Sequence, residues 1–369
     1  MDASTVYFTN LRTEVGVSRL TKLERLLRKA GIGTIDFKDK YVAIKIHFGE
    51  PGNLAFLRPN YAATVVSLVK ELGGKPFLTD CNTLYVGGRK NALDHLDSAY
   101  QNGYSPFSTG CHILIADGLK GTDEVLVPVE GGVYVKEAKI GRALMDADIV
   151  ISLNHFKGHE GTGFGGALKN LGMGGGSRAG KMEMHSAGKP HVDTELCIGC
   201  GRCAKVCAHD APDLSSGKAV IDHDRCVGCG RCIGVCPKDA VLPASDESND
   251  ILNCKIAEYA KAIVDGRPNF HINIVIDISP YCDCHGENDL PIVPDVGMFA
   301  SFDPVALDIA CADAVNAQPV MPGSHLEEMP HSHHDHFTDS MPATNWRTAI
   351  DHAQAIGLGS ANYKLVTVK

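Results

Sequence analysis

Eight of the fourteen cysteines in this 369-residue chain stand in two arrays of the same spacing. Cys197, Cys200, Cys203 and Cys207 read C-x-x-C-x-x-C-x-x-x-C, and Cys226, Cys229, Cys232 and Cys236 repeat the pattern with Pro237 directly after. Three thiolates separated by two residues each can wrap three corners of an iron–sulfur cubane. The fourth lies three residues on, starts a helical turn and points towards the other cluster. The spacing therefore predicts two 4Fe-4S clusters with crossed ligation. One takes Cys197, Cys200, Cys203 and Cys236, and the other takes Cys226, Cys229, Cys232 and Cys207. Gly199, Gly201, Gly228 and Gly230 let the backbone approach the sulfides and offer N–H donors there. A pair of tetrahedral zinc sites would need neither the repeated triplet nor the crossed fourth ligand.

These arrays resemble the bacterial ferredoxins that carry two 4Fe-4S clusters, and the resemblance covers residues 190–244 only. It implies low-potential one-electron transfer, with the clusters close enough to exchange electrons rapidly. The sequence departs from that family's pattern at Ala208, where the first array often carries proline; this alters packing around one cluster but removes no ligand.

A second set of reactive residues lies outside the arrays. Asn154, His155, Lys157, His159 and Glu160 follow an apolar strand-like run, at the strand end where open α/β sheets place ligand crevices. His155 and His159 can ligate metal or move protons, and Lys157, Lys169 and Lys181 can hold an anionic substrate. Gly161, Gly163 and Gly166 match G-x-G-x-x-G, a pattern that can cradle the phosphate of a flavin or nucleotide at a helix start. Cys282, Cys284 and His285 follow another strand, where soft ligands suit an additional metal or a redox-active thiol. His331, His333, His334 and His336 form a short tract in a Pro-bounded segment, also a candidate metal site. Cys81, Cys111, Cys254 and Cys311 stand alone in apolar surroundings and read as inert buried thiols.

Positioning these groups calls for strands alternating with helices. Residues 41–48, 75–81, 112–116, 148–153 and 271–278 are short apolar runs, and helices are expected after Asn60, as a cap, and over residues 249–264. That rhythm predicts an α/β fold: a mostly parallel sheet flanked by helices. The cysteine arrays interrupt it as an inserted α+β ferredoxin-like domain at 190–244, between a first part at 1–189 and a second part at 245–369. Residues 157–188 are crowded with glycine and poor in apolar periodicity, so they are expected to form a loop, ordered or mobile.

The formal charge of −9 spreads over the chain without a basic cluster, which argues against nucleic-acid and anionic-membrane partners. No apolar run approaches membrane-spanning length, and cysteines arrayed for metal fit a reducing compartment; a cytoplasmic location is expected.

Residues 154–176 with Lys169 and Asn170, the cysteine insert, Asp295 with Gly297, and Asp303, Pro304 and Asp308 together resemble the uncharacterised Fe-S centre proteins. This bacterial and archaeal family is defined by a domain of unknown function. The resemblance implies that His155, Lys169, Asn170, Asp303 and Asp308 share one crevice, although Asp303 would equally serve as a helix cap. Two functions fit. In one, an oxidoreductase passes electrons through its clusters to a small-molecule substrate or organic cofactor near His155, Lys157 and Cys282. In the other, an electron carrier or Fe-S scaffold docks on a redox partner protein. The size of the α/β body favours the first.

Overall fold

The computed structural model describes residues 2–85, 87–185, 189–226, 228, 230–243 and 248–369. Its main sheet has eight strands. In chain order these are β1 (Ser4–Asn10), β2 (Tyr41–Lys45), β3 (Lys75–Asp80), β4 (Ile113–Ile115), β5 (Ile149–His155), β6 (Asn269–Val275), β7 (Gly297–Ser301) and β8 (Tyr363–Thr367). They lie in the order β8-β1-β7-β6-β5-β2-β3-β4, and all neighbours are parallel except β7, which runs against both β1 and β6. The mostly parallel α/β sheet expected from the sequence is the observed fold. From β2 the chain steps outward through β3 to β4, then crosses back to β5 on the other side of β2. Such a reversal opens a crevice beyond the C-terminal strand ends.

Among the helices that cover this sheet or border its crevice are α1 (Arg19–Lys29), α2 (Pro59–Glu71), α3 (Ala167–Gly175), α4 (Arg178–His185), α5 (Asn249–Val264) and α6 (Pro304–Asn316). On one face of the sheet Ile44, Ile151, Leu153, Ile272 and Ile274 pack against Leu23, Leu26 and Leu27 of α1 and Val65, Val66 and Val69 of α2. On the other, Ala43 and Val150 meet Leu168 and Leu171 of α3, Ile256 and Ile263 of α5, and Val305 and Ala306 of α6. Burial on both faces follows from covering a parallel sheet with helices on each side. Helix α2 begins at Pro59 with Arg58 as its cap, not at an Asn60 cap. Proline at the first position loses no hydrogen bond, because that N–H has no partner within the helix.

The glycine-crowded segment is not a loop. Lys157–His159 pairs with Gly163–Gly165 as a hairpin, and α3 and α4 follow; Ser186, Ala187 and Gly188 lie outside the described residues. Its glycines serve close packing. A Cβ on Gly172 would stand 2.1 Å from the Ile256 carbonyl oxygen, so α3 can lie against α5 only where a side chain is missing. Small residues that permit helix contact look, in sequence, like the composition of a loop.

Within the insert, Pro190–Val192 pairs antiparallel with Val241–Pro243, and Pro212–Asp213 with Val220–Ile221. Two five-residue helices, Arg202–Val206 and Arg231–Val235, each follow a left-handed glycine, Gly201 at φ +72° and Gly230 at φ +67°. The insert's small core joins Cys203, Ala219, Ile233 and Val241 to Leu84 and Met182 of the α/β body. Among the described residues no helix is long and apolar enough to cross a membrane.

Candidate functional site

The crevice beyond β2, β3, β5 and β6 is a cavity of about 340 Å³. Strand ends bring His47, Asp80 and His155 to it, the hairpin brings Lys157, His159 and Glu160, and α3 brings Lys169 and Asn170. Cys284 and His285 reach it on the loop after β6. That loop begins at Asp277, which adopts φ +45°, a conformation that aspartate tolerates better than most side chains. It then passes over Gly158, whose N–H donates to the Ser279 carbonyl at 2.9 Å. A Cβ on Gly158 would lie 2.4 Å from the Pro280 oxygen, so glycine between Lys157 and His159 lets the hairpin and the cysteine loop meet.

Asp283, fully buried, is the electrostatic centre. Its carboxylate is 2.6 Å from Lys157 Nζ, 3.2 Å from His155 Nδ1 and 3.8 Å from His47 Nδ1. Burial opposes its charge, but the Lys157 ammonium outweighs that cost and holds its carboxyl below the usual range. Lys157 is therefore committed to Asp283 rather than free to bind an anion. His155 sits between Asp283 and the Ile276 carbonyl, which lies 2.7 Å from Nε2. Burial and the neighbouring Arg89, whose Nη1 is 2.8 Å from Nε2, keep His47 neutral, with its pKa lowered to about 3. Arg89 in turn is bound by Glu50 at 2.6 Å.

Beside Asp283, the buried Cys282 accepts a hydrogen bond from Lys169 Nζ at 3.2 Å. Burial disfavours its thiolate, yet the Cys284 thiol, Lys157 and Lys169 overcome this and push its pKa well down. Cys284 is pushed up, first by sharing its proton with Cys282 and then by burial. The pair thus holds one thiolate, centred on Cys282. Ligand atoms of His159, Cys282 and Cys284 lie within 4.8 Å of one another, and so do those of Glu160, Cys284 and His285. Glu160 Oε1 is 2.8 Å from His285 Nε2. Despite its burial penalty, the carboxyl of Glu160 is held below its usual range, with the His285 imidazole hydrogen-bonded to its charged form.

Beneath the crevice a chain of buried polar side chains crosses the sheet. Lys45 Nζ binds Asp80 at 2.9 Å and Asn170 Oδ1 at 2.7 Å. Asn170 donates to Asn154 Oδ1 at 2.7 Å, Asn154 to Asn273 Oδ1 at 2.8 Å, and Asn273 to Asp308 Oδ1 at 2.8 Å. Asp308 then accepts the N–H groups of Ala167 and Leu168 at the start of α3. This corrects the phosphate-cradle expectation for Gly161, Gly163 and Gly166. The segment forms a hairpin, and a carboxylate already occupies the helix start where a phosphate would bind. Gly163 instead backs onto Trp346, and Gly166 makes room for Asp308.

Two other expectations fail on topology. Asp303 caps α6, accepting from Val305 and Ala306, and lies away from the crevice. It follows β7, whose reversed direction carries its C-terminal end to the opposite edge of the sheet. The histidine tract does not converge. His331, His333 and His334 are exposed; His333 pairs with Asp339 at 2.9 Å and His336 with the Gln318 carbonyl at 2.9 Å. Sequence reading passed over His47, Glu50, Asp80, Arg89 and Asp283. The ends of β2 and β3 carried the available signal, polar residues closing apolar strands as at His155.

In the insert, Cys197, Cys200, Cys203 and Cys236 line one small cavity together with Pro237. Backbone N–H groups point at the sulfurs: Ala219 to Cys197 and Ala211 to Cys207 at 3.4 Å, and Ala240 to Cys236 at 3.2 Å. Cys226 and Cys232 lie in the second array, and Cys229 falls outside the described residues. Leu84, buried in the same small core as Cys203, also lines the crevice.

The chain belongs to the family of the domain of unknown function DUF362, which matches residues 42–313. A thylakoid-associated protein of Synechocystis sp. is 30% identical over 127 residues, covering 33% of this chain and 34% of that protein. The chain thus spans about a third of the length of the curated relative it matches. Among solved structures, the lactate racemase apoprotein of Thermoanaerobacterium thermosaccharolyticum is 13% identical, with a TM-score of 0.34, over 74% of this chain and 51% of that one. A Thermotoga maritima protein is 13% identical, with a TM-score of 0.43, over 82% and 59%.

Proposed function

We propose that this chain is an iron–sulfur oxidoreductase whose insert holds two 4Fe-4S clusters that relay single electrons to or from a small substrate in the crevice. Cys197, Cys200, Cys203 and Cys236 hold one cluster, and Cys226, Cys229, Cys232 and Cys207 the other. When bound, such clusters supply one-electron steps, with a potential tuned by N–H donors to sulfur and by solvent exposure. The observation that carries the reading is the shared wall at Leu84, one buried side chain that touches both the insert's core and the crevice. An electron carrier needs no such contact with a cavity lined by ionisable side chains. Among the crevice residues, Lys169 offers positive charge to an anionic substrate.

The experiment is anaerobic reconstitution followed by stopped-flow reoxidation. Loaded protein should contain about eight iron and eight sulfide per chain; zinc alone would end the reading. A panel of small anionic acceptors should reoxidise the reduced clusters in the parent chain. Loss of that reaction in His155→Ala and Cys282→Ala, with iron content intact, is the expected result. Equal rates in both variants would make the protein a carrier for a separate enzyme.

A further inference from the structure

We infer that the crevice binds a single divalent transition-metal ion through the sulfurs of Cys282 and Cys284, with Glu160 and His285 completing its shell. As the end point of an electron path, this site rests on the function proposed above. As a metal site it stands by itself.

Two segments far apart in the chain supply the ligands: the hairpin turn carrying Glu160, and the loop after β6 carrying both cysteines and His285. Glu160 and His285 are 125 residues apart in sequence, yet their ligand atoms meet Cys284 within 4.8 Å. Neither a buried thiol nor a dithiol requires a carboxylate and an imidazole to gather around it. The donor set, two sulfurs with one nitrogen and one oxygen, suits zinc or ferrous iron and disfavours magnesium and calcium, which want oxygen alone. The surroundings are those of a supported metal ligand. Lys169 Nζ donates to Cys282 Sγ at 3.2 Å, as outer groups do to metal-bound thiolates. Lys157, bound to Asp283 at 2.6 Å, adds positive charge beside the sulfurs without occupying the shell.

His159 also approaches both sulfurs, but its ring is already oriented by other contacts. Nδ1 accepts the N–H groups of Gly161 at 3.0 Å and Thr162 at 3.2 Å, so the neutral ring carries its proton on Nε2. That tautomer makes His159 a hydrogen-bond donor beside the thiolates, whereas the Glu160–His285 hydrogen bond is simply replaced when both groups turn to the ion. Because Cys284 and His285 line the cavity, a substrate entering it reaches the ion directly.

Zinc is the probe. The cluster-loaded chain is equilibrated with Zn²⁺ and studied by X-ray absorption at the zinc edge, which does not see the cluster iron. One zinc per chain is expected, with two sulfurs at about 2.3 Å and nitrogen or oxygen at about 2.0–2.2 Å. The Cys282→Ser/Cys284→Ser chain should lose that zinc while keeping its iron and its thermal midpoint. Lys169→Met should weaken zinc by about tenfold to a hundredfold, as loss of an outer partner does. Zinc without sulfur neighbours, or zinc retained by the double variant, overturns the site. Failure to take up zinc, together with a Cys282–Cys284 disulfide formed by mild oxidant, overturns it in favour of a redox dithiol. If iron is absent but zinc binds as described, the cluster reading fails and the metal site remains.

Discussion

The insert and the crevice gather ligands of the same chemistry in different ways. In the insert the cysteines are neighbours in sequence, held by five-residue helices, two-residue and three-residue strands and a small core. In the crevice, Lys169 and Cys282 stand 113 residues apart and meet only because strands β2, β5 and β6 end side by side under two packed helical layers. With the proposed clusters in place, the insert is expected to depend on them for order, whereas the crevice is shaped by the sheet whether or not anything is bound. Conformational entropy explains the difference. A region with little apolar surface to bury cannot offset the ordering of its backbone without bonds to metal, whereas the covered sheet buries enough.

Iron removal should break this comparison most sharply. Chelation of the reduced protein, or Cys203→Ser, is expected to expose residues 190–243 to protease while the α/β body stays intact on a gel. A body that unfolds together with the insert would show that the two are not energetically separate. A smaller effect is expected inside the crevice: Asn170→Leu leaves Lys45 with Asp80 but strands the side-chain oxygen of Asn154, and should cost about 1–3 kcal/mol, as an unsatisfied buried polar group does. Urea unfolding measures it, and an unchanged midpoint would mean that the polar chain across the sheet is not integral to the fold. Gly172→Ala forces α3 away from α5 and should destabilise by about 1–3 kcal/mol, as overpacking does.

Acid sharpens the contrast further, because the body carries buried neutral histidines. His271, between Ser152 and Asn269, is held down to about 3 by burial. Its folded value lies below the unfolded one, so the unfolded chain binds the extra proton. Stability is complete above the ordinary value of 6.5 and is lost as pH falls from there towards about 3. The slope is about 1.4 kcal/mol per pH unit for one proton. His271→Gln should flatten the acid limb of a stability-versus-pH curve by up to that slope, and an unaltered limb would assign the loss to other groups. The smallest effect is expected at the surface tract: His331→Ala with His333→Ala should leave zinc content unchanged and stability within about 0.5 kcal/mol.

Legibility followed the range of the interactions. Residues 249–264 were readable as a helix because the helical run and the Gly266 that ends it are local features. Cys282, Cys284 and His285 were recognisable as ligand types next to a strand end, but their partners Glu160 and Lys169 were not identifiable as partners. The glycines of 157–188 misled because composition does not distinguish a flexible loop from helices pressed together. For Asp303 the cap reading held and the crevice reading did not, a choice left open because strand direction is invisible in a strand's own residues.

By itself, the sequence determined the cluster-type cysteine arrays and the alternating strands and helices, since spacing and hydrophobic period are set by covalent neighbours. Only the tertiary structure decided that Asp283 binds Lys157, that Asp308 fills the helix start behind the glycines, and that Leu84 joins the two regions. Each of these depends on which strand ends lie side by side, and that is fixed by how both faces of the sheet are buried at once.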